Sequence, residues 1–158
     1  MPYSDSPILF SGVSMVTSAL GRNDPELGTE IQEGGIRYLF AYNGGAHTAP
    51  VGYGVVPNSS TTGFTFTVSA ATSADLVIGV VRNAAIPGGS YGWLVTKGVT
   101  PVQMHADASA AVRLLLEVGA NGVFVPVSNT TGNKAPAAAL TVAAIASAAS
   151  GNAFVSVF

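Results

Sequence analysis

Gly63-Phe64-Thr65-Phe66-Thr67-Val68-Ser69 alternates apolar and polar side chains without a break. Successive side chains of an extended chain point to opposite faces. Phe64, Phe66 and Val68 therefore share one face, and Thr65 and Thr67 the other. That pattern is a half-buried strand, and it places Phe64 and Phe66 in a core.

Similar runs lie on both sides of it. Ile36–Asn43 (IRYLFAYN) is rich in aromatic residues and ends at Asn43-Gly44-Gly45. Leu76–Val81 (LVIGVV) is a continuous apolar run of the length expected for a fully buried strand. Tyr91–Lys97 (YGWLVTK) follows the turn Pro87-Gly88-Gly89, and Val99–Met104, Gly122–Val127 and Ala153–Phe158 (AFVSVF) are further strand-like pieces. Short strands separated by turn residues predict a mostly β fold. The expected architecture is a compact small barrel or sandwich of short antiparallel strands with an N-terminal arm.

Two segments admit a second reading. Ala108–Val118 (ASAAVRLLLEV) suits a helix or a strand. Leu140–Ala146 (LTVAAIA) sits in an alanine-rich stretch that suggests helix, yet an internal comparison favours strand. Leu76–Val81, a loop of small residues and Tyr91–Lys97 have the same outline as Leu140–Ala146, Ser147–Asn152 and Ala153–Phe158. The likeness is one of pattern, not of identities.

Residues 1–33 read as an arm or lead-in, and 34–158 as the β domain. The lead-in holds five of the eight acidic residues, Asp5, Asp24, Glu26, Glu30 and Glu33. Its apolar residues, among them Ile8, Leu9 and Phe10, are too many to stay comfortably solvated. They are candidate contacts with another protein. Trp93, the sole tryptophan, is either core or an interface anchor, since tryptophan is enriched at interface hot spots.

Charge is the most unusual quantity in the composition. Charged residues are 9% of the 158, against about 25% in an ordinary soluble domain. Gly, Ser, Thr, Asn and Ala fill the gap. A surface so short of charge is poorly defended against association, which favours burial against partner subunits over a solitary, Ser/Thr/Asn-covered monomer.

The six basic residues, Arg22, Arg37, Arg82, Lys97, Arg113 and Lys134, are scattered, and the net charge is −2. Phosphate binding depends on clustered cations. Neither nucleic acid nor an anionic membrane is an expected partner. Mean hydropathy is +0.45, but the charge-free stretch Ala135–Phe158 is broken by Pro136, Ser147, Ser150, Gly151 and Asn152. It does not read as a membrane span. The N-terminus lacks the basic region of a signal peptide.

Catalytic material is sparse. With no cysteine, disulfides, zinc–thiolate sites and catalytic thiols are excluded. His47 lies in the turn-like Gly44-Gly45-Ala46-His47-Thr48. His105 and Asp107 would share a face if their segment were a strand, but two ligands fall short of the three or four that a metal site needs. Gly88-Gly89-Ser90-Tyr91-Gly92 is not a Gly-x-Ser-x-Gly elbow, and there is no Walker or dinucleotide-binding loop. No enzymatic activity, metal or cofactor is expected.

Two strings carry a resemblance. One is Leu27-Gly28-Thr29-Glu30 with Gly35-Ile36-Arg37-Tyr38 and Asn43-Gly44-Gly45-Ala46; the other runs Ala85-Ile86-Pro87-Gly88-Gly89-Ser90-Tyr91-Gly92-Trp93-Leu94-Val95-Thr96-Lys97-Gly98. Together they resemble small virion proteins of tailed bacteriophages, especially capsid decoration (cement) proteins. The resemblance implies a β-rich homotrimer on the outer capsid surface, made in the host cytoplasm. Its expected partners are the major capsid protein lattice and its own copies, reached in part by a terminal arm. The alternative from the same setting is a receptor- or carbohydrate-binding module of a fibre or spike. That reading expects an exposed aromatic patch drawn from Tyr38, Tyr42, Tyr53 and Trp93.

Overall fold

The computed structural model describes residues 12, 13, 15–22, 24–58, 64–68, 76–127 and 138–157. Among these residues eleven strands form one continuous sheet: β1 (Val16–Thr17), β2 (Glu30–Glu33), β3 (Ile36–Asn43), β4 (Gly54–Pro57), β5 (Thr65–Val68), β6 (Gly79–Val81), β7 (Tyr91–Gln103), β8 (Leu115–Val118), β9 (Phe124–Pro126), β10 (Ala139–Thr141) and β11 (Ser150–Ser156). The ladders are antiparallel except β3–β5. Among the described residues there is no α-helix, only a 3-10 turn at Ala120–Gly122. The fold class read from the sequence holds.

The pairings close two rings. β3 pairs with β5, β5 with β4, β4 with β6, β6 with β7, and β7 returns to β3. β7 then continues into the second ring. It pairs with β11, β11 with β10, β10 with β8 and β8 with β9, and a parallel bridge from Phe124 to Met104 closes the circuit. The chain is thus two small five-stranded barrels that share one long strand. Phe66, Ile86, Leu94 and Val55 fill the first barrel. Phe124, Ile145, Leu116 and Met104 fill the second.

The two barrels are copies of one pattern. Ala49 exchanges both backbone hydrogen bonds with Ile86, at 2.9 and 2.9 Å; Ala110 does the same with Ile145, at 2.8 and 2.8 Å. The Gly44 N–H donates to the Phe66 carbonyl, as that of His105 does to Phe124, both at 2.9 Å. The Gly52 N–H donates to Val81, as that of Arg113 does to Thr141. Gly92 lies against Ile86, and Gly151 against Ile145. A repeat is present, but in a register shifted from the one read in the sequence: Val81 answers to Thr141 and Gly92 to Gly151, and the equivalence takes in every strand from β3 to β11.

Equivalence exposes strain. Where the first barrel has Gly52 and Gly89 at positive φ, the second has Arg113 (φ 61) and Ala148 (φ 55). A left-handed conformation costs an L-residue about 1–2 kcal/mol, partly offset by the extra freedom glycine has when unfolded. Ala148→Gly is therefore expected to stabilise the chain by about 0.5–1 kcal/mol, seen as a rise in Tm. No rise would show that the turn carries no strain.

Several expectations are corrected. Ala108–Val118 is not helical: only Leu115–Val118 is strand, preceded by the bridge at Ala110. The buried strand expected over Leu76–Val81 starts at Gly79, and Leu76 is exposed. Phe66 and Phe40 are core, but Phe64 is 46% exposed. Phe64 precedes the first residue of β5, where the alternation of a paired strand no longer fixes its direction, and its ring covers Gly28. The boundary between residues 33 and 34 falls inside a hairpin: β2 pairs with β3 through Gly34 and Gly35, at φ 58 and 80. Paired positive φ values are those of the tight turn that suits strand twist.

Candidate interaction surface

The outer face of the first barrel carries the aromatic residues. Phe40 and Trp93 pack with ring centroids 5.0 Å apart, and Tyr42 and Tyr91 at 4.7 Å. Trp93 is 4% exposed, in a cluster with Tyr38, Phe40 and Val95 against which Val13, Met15, Ile31 and Ile36 pack. The lead-in is fastened over it. β1 pairs with β7, Val16 opposite Gly92, and the Asn83 amide donates to the Val13 carbonyl at 3.0 Å. Trp93 is core in this structure; offering it to a partner requires lifting that segment away. The other contact candidates, Ile8, Leu9 and Phe10, lie outside the described residues.

The histidines do not assemble a site. His105 lies beyond the end of β7, so it does not share a strand face with Asp107. Its Nδ1 accepts the Asp107 N–H at 3.1 Å and lies 3.9 Å from the Asp107 carboxylate, a local contact on the surface. The backbone carbonyl of His47 accepts the Asn43 amide. Among the described residues no group of three or more His, Asp or Glu is placed to hold a metal. A cleft of about 320 Å³ is lined by Leu39, Pro57, Phe64, Ile78 and Val157, and by Glu30 and Arg37.

The distinctive surface is on the second barrel. Val99 is directly opposite Phe154, Phe154 opposite Leu140, and Leu140 opposite Leu115. These residues form an unbroken apolar row across β7, β11, β10 and β8. They are 37–50% exposed. Large apolar residues face outward here at two positions. β10 and β11 turn Ala139 and Ala153 inward and Leu140 and Phe154 outward. Single exposed apolar residues are ordinary, but a contiguous set marks an interaction site.

Sequence reasoning missed this row. The alternation of AFVSVF was visible, but not that its Phe154 phase faces outward. The signal was local: Leu140 lies between the inward Ala139 and Thr141, and Phe154 shares its face with Asn152 and Ser156.

No protein-family model matches the sequence, and no curated protein matches it. A solved structure does. The fold is similar to that of the head fiber gp8.5 N base in bacteriophage phi29. The TM-score is 0.53 and identity 10%, covering 77% of this chain and 94% of that one. At that identity the likeness is one of fold.

Proposed function

We propose that this chain is a structural protein of a phage virion, attached to the outside of the head. The observation that carries the reading is the fold it has in common with a head fiber base over nearly the whole of that structure. In its finer form, the chain is a decoration or cement protein. It binds the assembled shell and bridges neighbouring major capsid protein subunits, as a homotrimer. The scarcity of charge supports a surface meant for association, and so does the exposed apolar row. Stabilisation would come from several modest contacts engaged together, whose combined strength exceeds that of each alone.

The test is to mix the purified chain with undecorated heads and sediment them. Co-sedimentation at a saturable ratio, with heads that survive higher temperature, is the expected result. A chain that stays in the supernatant while heads remain intact sinks the proposal. The fiber description of the neighbour favours a second reading, the base of a head fiber or spike with a receptor- or carbohydrate-binding role. Against its sugar-binding form, Tyr38 and Trp93 are buried.

A further inference from the structure

We infer that a second cleft, at the seam where the two barrels meet, is a binding site for one uncharged sugar ring of a surface glycan. The inference deepens the second reading above, a fibre base or spike that meets a receptor, and rests on it.

The cleft holds about 300 Å³, at the small end of the range for small-molecule sites. The first barrel supplies Tyr53, from the turn that enters β4. The second supplies Gln103, Met104 and His105 around the end of β7, Asn121 from the 3-10 turn, and Ala148 from the turn before β11. At this seam Gly122 lies against the Tyr53 ring and the Gly54 carbonyl. Neither barrel alone has all the walls. Of the aromatic residues weighed above for sugar binding, Tyr38 and Trp93 are buried, whereas Tyr53 lines a cleft.

The duplication shows how the cleft arises. Backbone bonding makes Asn43 and Gly44 the equivalents of Met104 and His105. In the first barrel this corner is tied shut. The buried Asn43 amide donates to the carbonyls of His47 and Ile86 and accepts the Gly45 N–H. Gly88 lies so near Gly45 that a Cβ would come within 2.5 Å of its carbonyl. In the second barrel Met104 has no amide to make those ties. His105 stands in place of Gly44, and Ala148 in place of Gly89.

The walls are held in place. The Gln103 amide donates to the carbonyls of Ala148 at 3.0 Å and Met104 at 3.2 Å, and accepts the Ser150 hydroxyl at 2.6 Å. His105 Nδ1 accepts the Asp107 N–H, which leaves the ring proton on Nε2. That N–H, the Tyr53 hydroxyl and the Asn121 amide have no partner among the described residues. Among those residues three other than glycine have positive φ, and two of them, Asn121 (φ 60) and Ala148 (φ 55), line this cleft. Backbone strain of this kind gathers at ligand sites, where surrounding bonds sustain it.

No charged residue lines the cleft. A phosphate or an acidic sugar would find no arginine or lysine to receive it. An aromatic ring and a methionine beside a hydroxyl, an amide and an imidazole N–H suit a neutral ligand with a C–H face and hydroxyl groups. A sugar ring has that form.

An array of neutral and acidic glycans, probed with the full chain, is the test. Neutral glycans are expected to bind. Against the best of them, Asn121→Gly and Tyr53→Phe should each weaken binding about tenfold, the worth of one hydrogen bond. Both variants are expected to fold, because glycine takes positive φ freely and phenylalanine keeps the ring; melting curves check this. Signal on acidic glycans alone, or a variant that binds like the wild type, would overturn the site. So would a blank array. Whether the chain holds a receptor of any kind is read separately, from binding of the labelled chain to intact host cells.

Discussion

Phe124→Ala is expected to lower stability by about 3–5 kcal/mol, the usual cost of emptying a buried aromatic site. Phe66→Ala, at the equivalent place in the first barrel, should cost about the same. Both rings are fully buried. The informative readout is Trp93, which sits on the first barrel beneath the lead-in. β7 is common to both barrels, and Phe124 also touches Gly54 across the seam. The two barrels are therefore expected to unfold together, with Trp93 fluorescence reporting a lowered urea midpoint for either variant. If Phe124→Ala left the Trp93 midpoint in place while circular dichroism showed an earlier loss of strand, the barrels would be separate folding units.

Gly122→Val should be nearly as damaging, at about 3 kcal/mol. Gly122 has φ 80, and a Cβ there would come within 2.8 Å of the Gly54 carbonyl and 3.0 Å of a Val68 methyl. The left-handed backbone contributes about 1–2 kcal/mol, and overpacking the seam a further 1–3, approximately. Gly119→Ala is the control. Gly119 has φ −91, and its nearest neighbour would be a Val125 methyl at 3.3 Å. It should shift the urea midpoint little. Equal losses in the two variants would show that backbone approach at the seam is not what matters.

Much of the fold was legible because its strands are short and bounded by glycine turns. IRYLFAYN, GFTFTVS and YGWLVTK each contain a strand, but of the strand expected over Leu140–Ala146 only Leu140 and Thr141 belong to one, β10, with Ile145 in an isolated bridge beyond it. What stayed hidden was set by partners distant in the chain. Whether a residue faces in or out depends on which ring its strand joins, so Phe64 and Phe154 were assigned no outward role. The second barrel could not be read as a copy of the first, because equivalent positions differ in residue type: Gly89 answers to Ala148, Gly52 to Arg113 and Trp93 to Asn152. Hydrogen bonding is retained, and so are a few interior residues, Phe66 and Phe124, Ile86 and Ile145, and Gly92 and Gly151, while these other positions are not. Trp93 was ambiguous for the same reason, since its cover of Val13 and Met15 comes from a lead-in whose docking no local pattern reveals.

The shared strand also has a mechanical meaning. The first half of β7 is tied to β3 and its second half to β11, meeting near Lys97 and Gly98. A load that draws the two barrels apart along β7 cannot peel one ladder open bond by bond. It must slide a strand lengthwise past several hydrogen bonds that bear the tension at once. The same strand pulled sideways would unzip. Resistance to force in this protein is therefore directional, greatest along the axis that links its two halves.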